Sequence, residues 1–328
     1  MIERLRSIEH HIGNTPIHKL RMEGLQAEVY AKLEYVNFGG SVKSRPAFNI
    51  LLNAIGNGRV NEKTTVIESS SGNFAIALAM LCRLIGVDFI PVIDPNINPG
   101  YEKLLRLLCR EVVKVTEPDP TGGYLLTRLQ EVRSFCEQHD HVFWPNQYEN
   151  RDNAQAYYQF MGAEIAACFD RLDYAFIGVS SCGTIAGLSR RLKEDFPGIK
   201  IIAIDVEGSV IFSDTPKKRH ISGIGSSIVP PLAQLAQIDE VIHLRQTDIV
   251  TGCLELVSEQ MLFAGASSGA SYFAIKQYFE HHSYVGAYPK VLFICPDRGD
   301  AYLDTVYDPK WQKKIKEGQA FMTETAKY

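Results

Sequence analysis

Short apolar runs alternate with amphipathic, helix-like runs along most of this 328-residue chain, and turns rich in serine and glycine separate them. Thr65 to Glu68 reads as a strand that breaks at Ser70-Ser71-Gly72 and leads into a helix from Phe74 to Ile85, which Gly86 stops. Val87 to Ile93 is a second strand, Tyr101 to Arg110 a helix, Val112 to Val115 a strand and Tyr124 to Gln138 a helix. The order returns with strand Tyr174 to Val179, loop Ser180 to Gly183, helix Thr184 to Phe196 and strand Ile199 to Asp205. A helix from Thr247 to Gln260, the loop Gly265 to Gly269, a further helix and strand Lys290 to Cys295 follow. Such alternation predicts an α/β fold of mostly parallel sheets covered by helices on both faces. Ligands in such folds sit beyond the carboxyl ends of the strands, where these turns lie. The chain is also too long for one ordinary core, so two lobes are expected. The polar tail from Trp311 reads as a helix or a frayed end.

Composition removes several classes of function. A formal charge of -4 offers no broad basic field for a nucleic-acid backbone. No apolar run reaches membrane-spanning length, and the Met1-Ile2-Glu3-Arg4 start lacks the apolar core of a signal peptide. The seven cysteines include no Cys-x-x-Cys pair, which points to reduced thiols and a cytoplasmic setting. The histidines, including the pairs His10-His11 and His281-His282, show no zinc-site spacing, so they read as surface or loop residues and no metal is expected.

Four segments carry chemistry. Lys43 closes Gly39-Gly40-Ser41-Val42-Lys43, where small residues let the backbone approach a flat ligand. A lysine attacks a carbonyl only where its surroundings favour the neutral amine. Ser180-Ser181-Cys182-Gly183-Thr184 lies between a strand and a helix, so its backbone N–H groups would converge on an anion. Its glycine spacing is wrong for a dinucleotide fingerprint, which leaves a phosphate monoester. Ser69-Ser70-Ser71-Gly72-Asn73 and Gly265-Ala266-Ser267-Ser268-Gly269 repeat the strand–loop–helix design and could each be a simple helix cap. Together they match what pyridoxal 5'-phosphate requires: an amine for its aldehyde, a cradle for its phosphate, a donor for its phenolic oxygen and a partner for its ring nitrogen.

With these segments in this order, the chain resembles the fold-type II pyridoxal-phosphate enzymes of the cysteine synthase and cystathionine β-synthase family. Gly-Gly-Ser-Val-Lys, Ser-Ser-Gly-Asn and the Gly-Thr-Ile-x-Gly run at Gly183 to Gly187 carry the resemblance, which extends from Ile12-Gly13-Asn14-Thr15-Pro16 to about Pro296. It implies a tryptophan synthase β-like architecture of two three-layer α/β/α lobes. Residues 1–44 and 151–328 would form the larger, cofactor-binding lobe, and residues 45–150 a smaller mobile one. It implies that Lys43 forms the Schiff base and carries the Cα proton, and that Asn73 donates to the phenolic oxygen. Ser181, Cys182, Gly183 and Thr184 would surround the phosphate, and Ser267 would face the ring nitrogen. Ser70, Ser71 and Gln147 would hold the substrate α-carboxylate, and Gly223 in Gly223-Ile224-Gly225 would line the substrate side. A homodimer is implied in the same way. Phe38, Ser44, Phe74-Ala75 and Cys182 depart from the family pattern, with effects expected on packing more than on chemistry.

Within that family, Glu117-Pro118-Asp119, Asn146-Gln147-Tyr148-Glu149-Asn150, Gly208-Ser209-Val210-Ile211-Phe212 and Pro296-Asp297-Arg298-Gly299-Asp300 resemble a branch acting on glutamate. The implied reaction is a two-stage β-replacement. An O-activated L-serine, O-phospho-L-serine above all, loses its leaving group from Cβ, and the amine of L-glutamate then adds there. The product would be N-(2-amino-2-carboxyethyl)-L-glutamate, a 2,3-diaminopropionate precursor for siderophores or peptide antibiotics. A serine at the ring nitrogen suits such chemistry, because it supplies no charge to keep the ring protonated and so favours rapid β-loss over transamination. Glutamate brings two carboxylates, for which Arg128 and Tyr148 are the expected donors. The competing readings are an O-acetylserine sulfhydrylase using sulfide, a serine or threonine dehydratase, and a binding protein that kept the fold without turnover.

Overall fold

The computed structural model describes residues 1–120, 122–280 and 287–318. Two sheets organise it. The larger contains β1 (Ile17–Lys19), β2 (Glu28–Leu33), β7 (Tyr174–Gly178), β8 (Lys200–Val206), β9 (Glu240–Leu244) and β10 (Lys290–Cys295), in the order β1-β2-β10-β7-β8-β9. The smaller contains β3 (Thr65–Ser69), β4 (Asp88–Ile93), β5 (Val113–Lys114) and β6 (Val142–Phe143), in the order β5-β4-β3-β6. Every pairing is parallel except β1 with β2.

The continuous apolar runs of the strands follow from this architecture. Side chains alternate across a sheet, so a strand covered on both faces has no polar side to show. In β10, Val291, Phe293 and Cys295 enter one core while Leu292 and Ile294 enter the core on the opposite face. Likewise Ile202 and Ile204 of β8 face one way, and Ile201 and Ala203 the other. In the smaller sheet, Val66 and Phe89 pack on one side, and Ile67, Ile90 and Val92 on the other. Each sheet is thus the middle of three layers, as the alternation predicts.

The structure refines the sequence reading in three places. Gly265–Gly269, expected as a loop, is the first turn of the helix Ala266–Glu280, because Gly265 abuts Asp297 and the chain turns helical at once. The tail at Trp311 lies in the helix Pro309–Lys316, whose first turn is capped by the Asp308 side chain accepting from Lys310 and Trp311 N–H. The helix Ile2–Arg6 buries Leu5 against the smaller sheet's core, although residues 1–44 are expected with the larger lobe. We propose lobe boundaries that follow the two sheets, with this N-terminal helix on the smaller one. His10 and His11 are exposed, while His281 and His282 lie outside the described residues. No helix among the described residues is long and apolar enough to cross a membrane.

Two devices fix the site's frame. The first is a buried ionic cluster at the start of the helix Ser44–Gly56. Arg45 Nε and Nη2 donate to the two Glu34 oxygens at 2.6 and 2.8 Å, and Nη1 and Nη2 donate to Glu164 at 2.7 and 2.8 Å. Lys32 Nζ reaches Glu164 and the Thr15 carbonyl, each at 2.7 Å, and Thr15 Oγ1 donates to Glu34 at 2.6 Å. Lys43 immediately precedes that helix, so the cluster anchors the backbone two residues from it. The second device is a glycine seam. A Cβ at Gly187 would lie 2.2 Å from the Ala154 carbonyl oxygen, and one at Gly183 would lie 2.2 Å from Asn153 Oδ1. Glycines four residues apart let the helix Gly183–Asp195 seat directly on Arg151–Ala156.

Candidate active site

Lys43 stands where the two sheets' loops meet. Val42 N–H donates to the Pro296 carbonyl at 2.8 Å, and Ser41 bridges to Asp297, which ties the Gly39–Lys43 turn to the end of β10. The Tyr157 hydroxyl donates to the Val42 carbonyl at 3.4 Å, and Lys43 Nζ points to Ser181 Oγ at 3.4 Å. Burial lowers the Lys43 pKa to about 8, against the opposing pull of Cys182 and Asp297. A lysine so placed has a sizeable neutral fraction near neutral pH, as carbonyl attack requires.

The helix Gly183–Asp195 starts beside it. Its N-cap, Cys182, adopts φ 62°, and no side chain caps its first N–H groups. That uncapped terminus, flanked by the buried Ser181 hydroxyl, leaves N–H groups of the kind that could receive a phosphate. The Thr184 hydroxyl is engaged by Tyr157. Burial, reinforced by Asp205, pushes the Cys182 thiol up to about 12 against Lys43, so it stays protonated and unreactive. Ser267 is buried in the first turn of Ala266–Glu280 and packs on Gly178, where a Cβ would stand 3.1 Å from its own. Gly223 and Gly225 take φ +84° and +75°, and Gly225 is pinned through its N–H to the Val179 carbonyl at 2.7 Å.

On the smaller sheet, Ser70, Ser71 and Asn73 follow β3. Ser70 Oγ accepts from Gly72 and Ala75 N–H, so it caps the helix Asn73–Ile85 and still has a proton to donate. The Ser71 hydroxyl is spent: it donates to Asp94 at 2.8 Å and accepts from Asp94 N–H and Arg128 Nη1. A carboxylate held at Ser71 would therefore bind its backbone N–H. Gln147 is buried beside this loop, its side-chain amide donating to the Ser69 carbonyl at 3.4 Å, and its backbone carbonyl accepts from the Asn153 side chain at 2.6 Å. Arg128 is mostly buried and paired with Asp94 at 3.2 Å. Burial also raises Glu68 to about 7, although Trp144, the Gln147 and Ser69 N–H groups and Arg128 favour its charged form.

Some residues of the site escape sequence reasoning. Asp297 accepts from Asn73 Nδ2 at 2.7 Å and from the Tyr302 hydroxyl at 2.9 Å, and Tyr101 donates to Asn73 Oδ1 at 2.7 Å. Arg219 donates to Ser227 at 2.7 Å, and burial lowers its pKa against the pull of Asp205 and Tyr148. Tyr148 thus feels Arg128 from one lobe and Arg219 from the other. Asp297 stands in a segment the sequence reading singles out, but that reading gives it no role.

Pyridoxal 5'-phosphate fits these residues on structural grounds. An amine with a depressed pKa lies beside an uncapped helix N-terminus, 3.4 Å from the Ser181 hydroxyl that flanks it. Lys43 would hold the aldehyde carbon, Ser181 to Thr184 the phosphate, Asn73 the phenolic oxygen and Ser267 the ring nitrogen.

Comparison with known proteins agrees. The family model described as "Pyridoxal-phosphate dependent enzyme" matches residues 8–297. The chain is 41% identical over 319 residues to N-(2-amino-2-carboxyethyl)-L-glutamate synthase of Ralstonia nicotianae, covering 96% of this chain and 93% of that protein. Its fold superposes with a TM-score of 0.83 on the O-acetylserine dependent cystathionine β-synthase of Helicobacter pylori, at 29% identity over 91% of this chain and 97% of the other. An O-ureido-L-serine synthase gives a TM-score of 0.81 at 27% identity, covering 92% of this chain and 95% of the other. The chain belongs to the fold-type II family of pyridoxal-phosphate dependent enzymes, with pyridoxal 5'-phosphate as its cofactor.

Proposed function

We propose that this enzyme joins the β-carbon of an O-activated L-serine, O-phospho-L-serine first, to the amine of L-glutamate, giving N-(2-amino-2-carboxyethyl)-L-glutamate. The observation that carries this reading is the 41% identity, over nearly the whole chain, to a protein named for that product. The polar surroundings of Tyr148 support it. The charges of Arg128 and Arg219 both act on its phenol, beside those of Glu68 and Asp94, and sulfide would need neither arginine.

The bound cofactor supplies an electron sink for bond breaking at the substrate's Cα and Cβ. Around it, Lys43 takes the Cα proton and later returns it, which its pKa of about 8 allows in both directions. The Ser70 hydroxyl, the Ser71 backbone N–H and Gln147 hold the α-carboxylate. Ser267 offers the ring nitrogen a neutral hydroxyl, favouring loss of the β-substituent. Arg128, Arg219 and Tyr148 receive the remaining anionic groups, with Arg128 and Tyr148 assigned to glutamate. A cytoplasmic homodimer supplying a 2,3-diaminopropionate precursor to siderophore or peptide-antibiotic synthesis belongs to the same proposal.

Replacing Arg128 by alanine should raise the KM for glutamate about 10- to 100-fold, the range expected for one charge-assisted hydrogen bond. Leaving-group release from the serine substrate should persist. Loss of that release instead would move Arg128 from glutamate to the leaving group. The function itself is tested by offering O-phosphoserine or O-acetylserine with glutamate or sulfide and weighing the products. Cysteine from sulfide, with no glutamate adduct, would replace this reading by a sulfhydrylase. Ketoacid alone would replace it by a dehydratase.

A further inference from the structure

We propose that Asp297 is a positioning residue: its carboxylate locks the Asn73 amide in one flip state, so that Asn73 presents an N–H, never its oxygen, to the cofactor. The proposal rests on the reading of Asn73 as the donor to the phenolic oxygen.

Asp297 leaves the end of β10 with its backbone held on both sides, by the bridge to Ser41 and by Gly265 N–H donating to its carbonyl at 2.9 Å. The residue is 3% exposed. One carboxylate oxygen, Oδ2, accepts from both Asn73 and Tyr302, while the other has no hydrogen-bond partner among the described residues. That second oxygen presses on Gly265, where a Cβ would stand 1.9 Å away, so position 265 must stay glycine for the carboxylate to keep its place.

The chemistry follows from donor and acceptor counts. An asparagine amide carries an acceptor on one side and two N–H donors on the other, and rotation by half a turn exchanges them. A tyrosine hydroxyl tolerates either face, because it can donate or accept. An ionised carboxylate tolerates only the N–H face, because it has no proton to give. Burial raises the Asp297 pKa, but the hydrogen bonds from Asn73 and Tyr302 and the charge of Lys43 favour its ionised form, so Asp297 decides the orientation and Tyr101 follows by donating to Asn73 Oδ1. One Asn73 N–H is consumed at Asp297 and the second remains for the ligand. With the amide reversed, its oxygen would face the electron-rich phenolic oxygen and repel it.

The test uses purified full-length protein and pyridoxal 5'-phosphate, read by equilibrium dialysis and by the ratio of the bound cofactor's absorption bands. Asp297→Asn keeps the shape but can meet either face of Asn73. It should weaken cofactor binding about tenfold, the scale of one hydrogen bond to a charged group, and shift the band ratio in the same direction as Asn73→Ala. Should Asp297→Asn fail to fold, Gly265→Ala displaces the same carboxylate by crowding its second oxygen and should shift the ratio the same way. If Asn73→Ala weakens binding while Asp297→Asn leaves affinity and spectrum unchanged, Asp297 has no positioning role. If Asn73→Ala itself changes neither, the assignment of Asn73 fails first and takes this proposal with it.

Discussion

Lys43→Met should be inactive and yet, with both proteins free of cofactor at neutral pH, harder to unfold than the unsubstituted chain. Loss of activity follows because the proposed reading gives Lys43 both tasks, holding the cofactor and shuttling the Cα proton. A positioned acid–base group alone is worth about 10²- to 10⁴-fold in rate. The stability gain follows from the same environment. Folding moves the lysine from its usual 10.5 to about 8, because burial disfavours its charged form. Between those values the unfolded chain binds more protons, so this group makes stability rise with pH from 8 to 10.5 and imposes its full penalty below 8. The shift corresponds to about 3 kcal/mol at most, and solvent reaching the partly open cleft reduces that to about 1–2 kcal/mol. Methionine removes the charge and keeps the bulk. Urea unfolding at several pH values should show Lys43→Met ahead at pH 7 and level by about pH 10.5. Equal or lower stability at pH 7 would mean that the site does not strain its lysine.

Arg45→Met should be the most damaging substitution for folding among those considered. The guanidinium holds Glu34 and Glu164 together through four short hydrogen bonds, with its side chain 1% exposed. Removing one partner of such a cluster leaves carboxylates buried and under-compensated, at a cost of about 3–5 kcal/mol. Against a typical total of about 5–15 kcal/mol, that is enough to leave a measurable unfolded fraction at physiological temperature. The cluster also predicts an acid limit. Burial by itself would raise the Glu164 pKa, but Arg45 and Lys32 outweigh it and hold it at about 2. A folded pKa below the unfolded value gives stability that is present above about 4.5 and lost as pH falls toward 2. Chemical denaturation of Glu164→Gln should therefore show a weaker loss over that window. An unchanged acid profile would place the acid-sensitive group elsewhere.

How far the sequence is legible depends on how local the signal is. The βαβ order could be read because strands such as β8 and β10, covered on both faces, are continuous apolar runs bounded by turn residues. Gly86, expected to stop a helix, does so with φ 79°. The short strands β5 and β6 carry too few residues for any periodicity. The helix at Ala266 starts directly after Gly265, whose N–H donates to the Asp297 carbonyl 32 positions along the chain, a pairing no local pattern announces. The same holds at the site. Lys43, the Ser180 to Thr184 loop and Ser267 are legible because turn, helix terminus and functional group lie in one short stretch. Asp297, Tyr101 and Arg219 are not, since each meets a group that the sequence does not set beside it: Asn73 is 224 residues from Asp297 and 28 from Tyr101, and the charge of Arg219 acts on Tyr148. Ser71 shows the converse. Its identity suggests a hydroxyl for the substrate, but Asp94 and Arg128 occupy that hydroxyl, which only the folded chain reveals.

The glycine seam constrains how this scaffold can be diversified. Asn153 fills the space beside Gly183 and also grips the Gln147 carbonyl, so the phosphate cradle and the side chain expected on the substrate carboxylate are registered to a common ruler. Drift in either helix would misplace both ends of the reaction at once. Efforts to change the accepted amine should leave 147–157 and 180–187 untouched and direct variation to the segment around Arg219, which lies outside the seam.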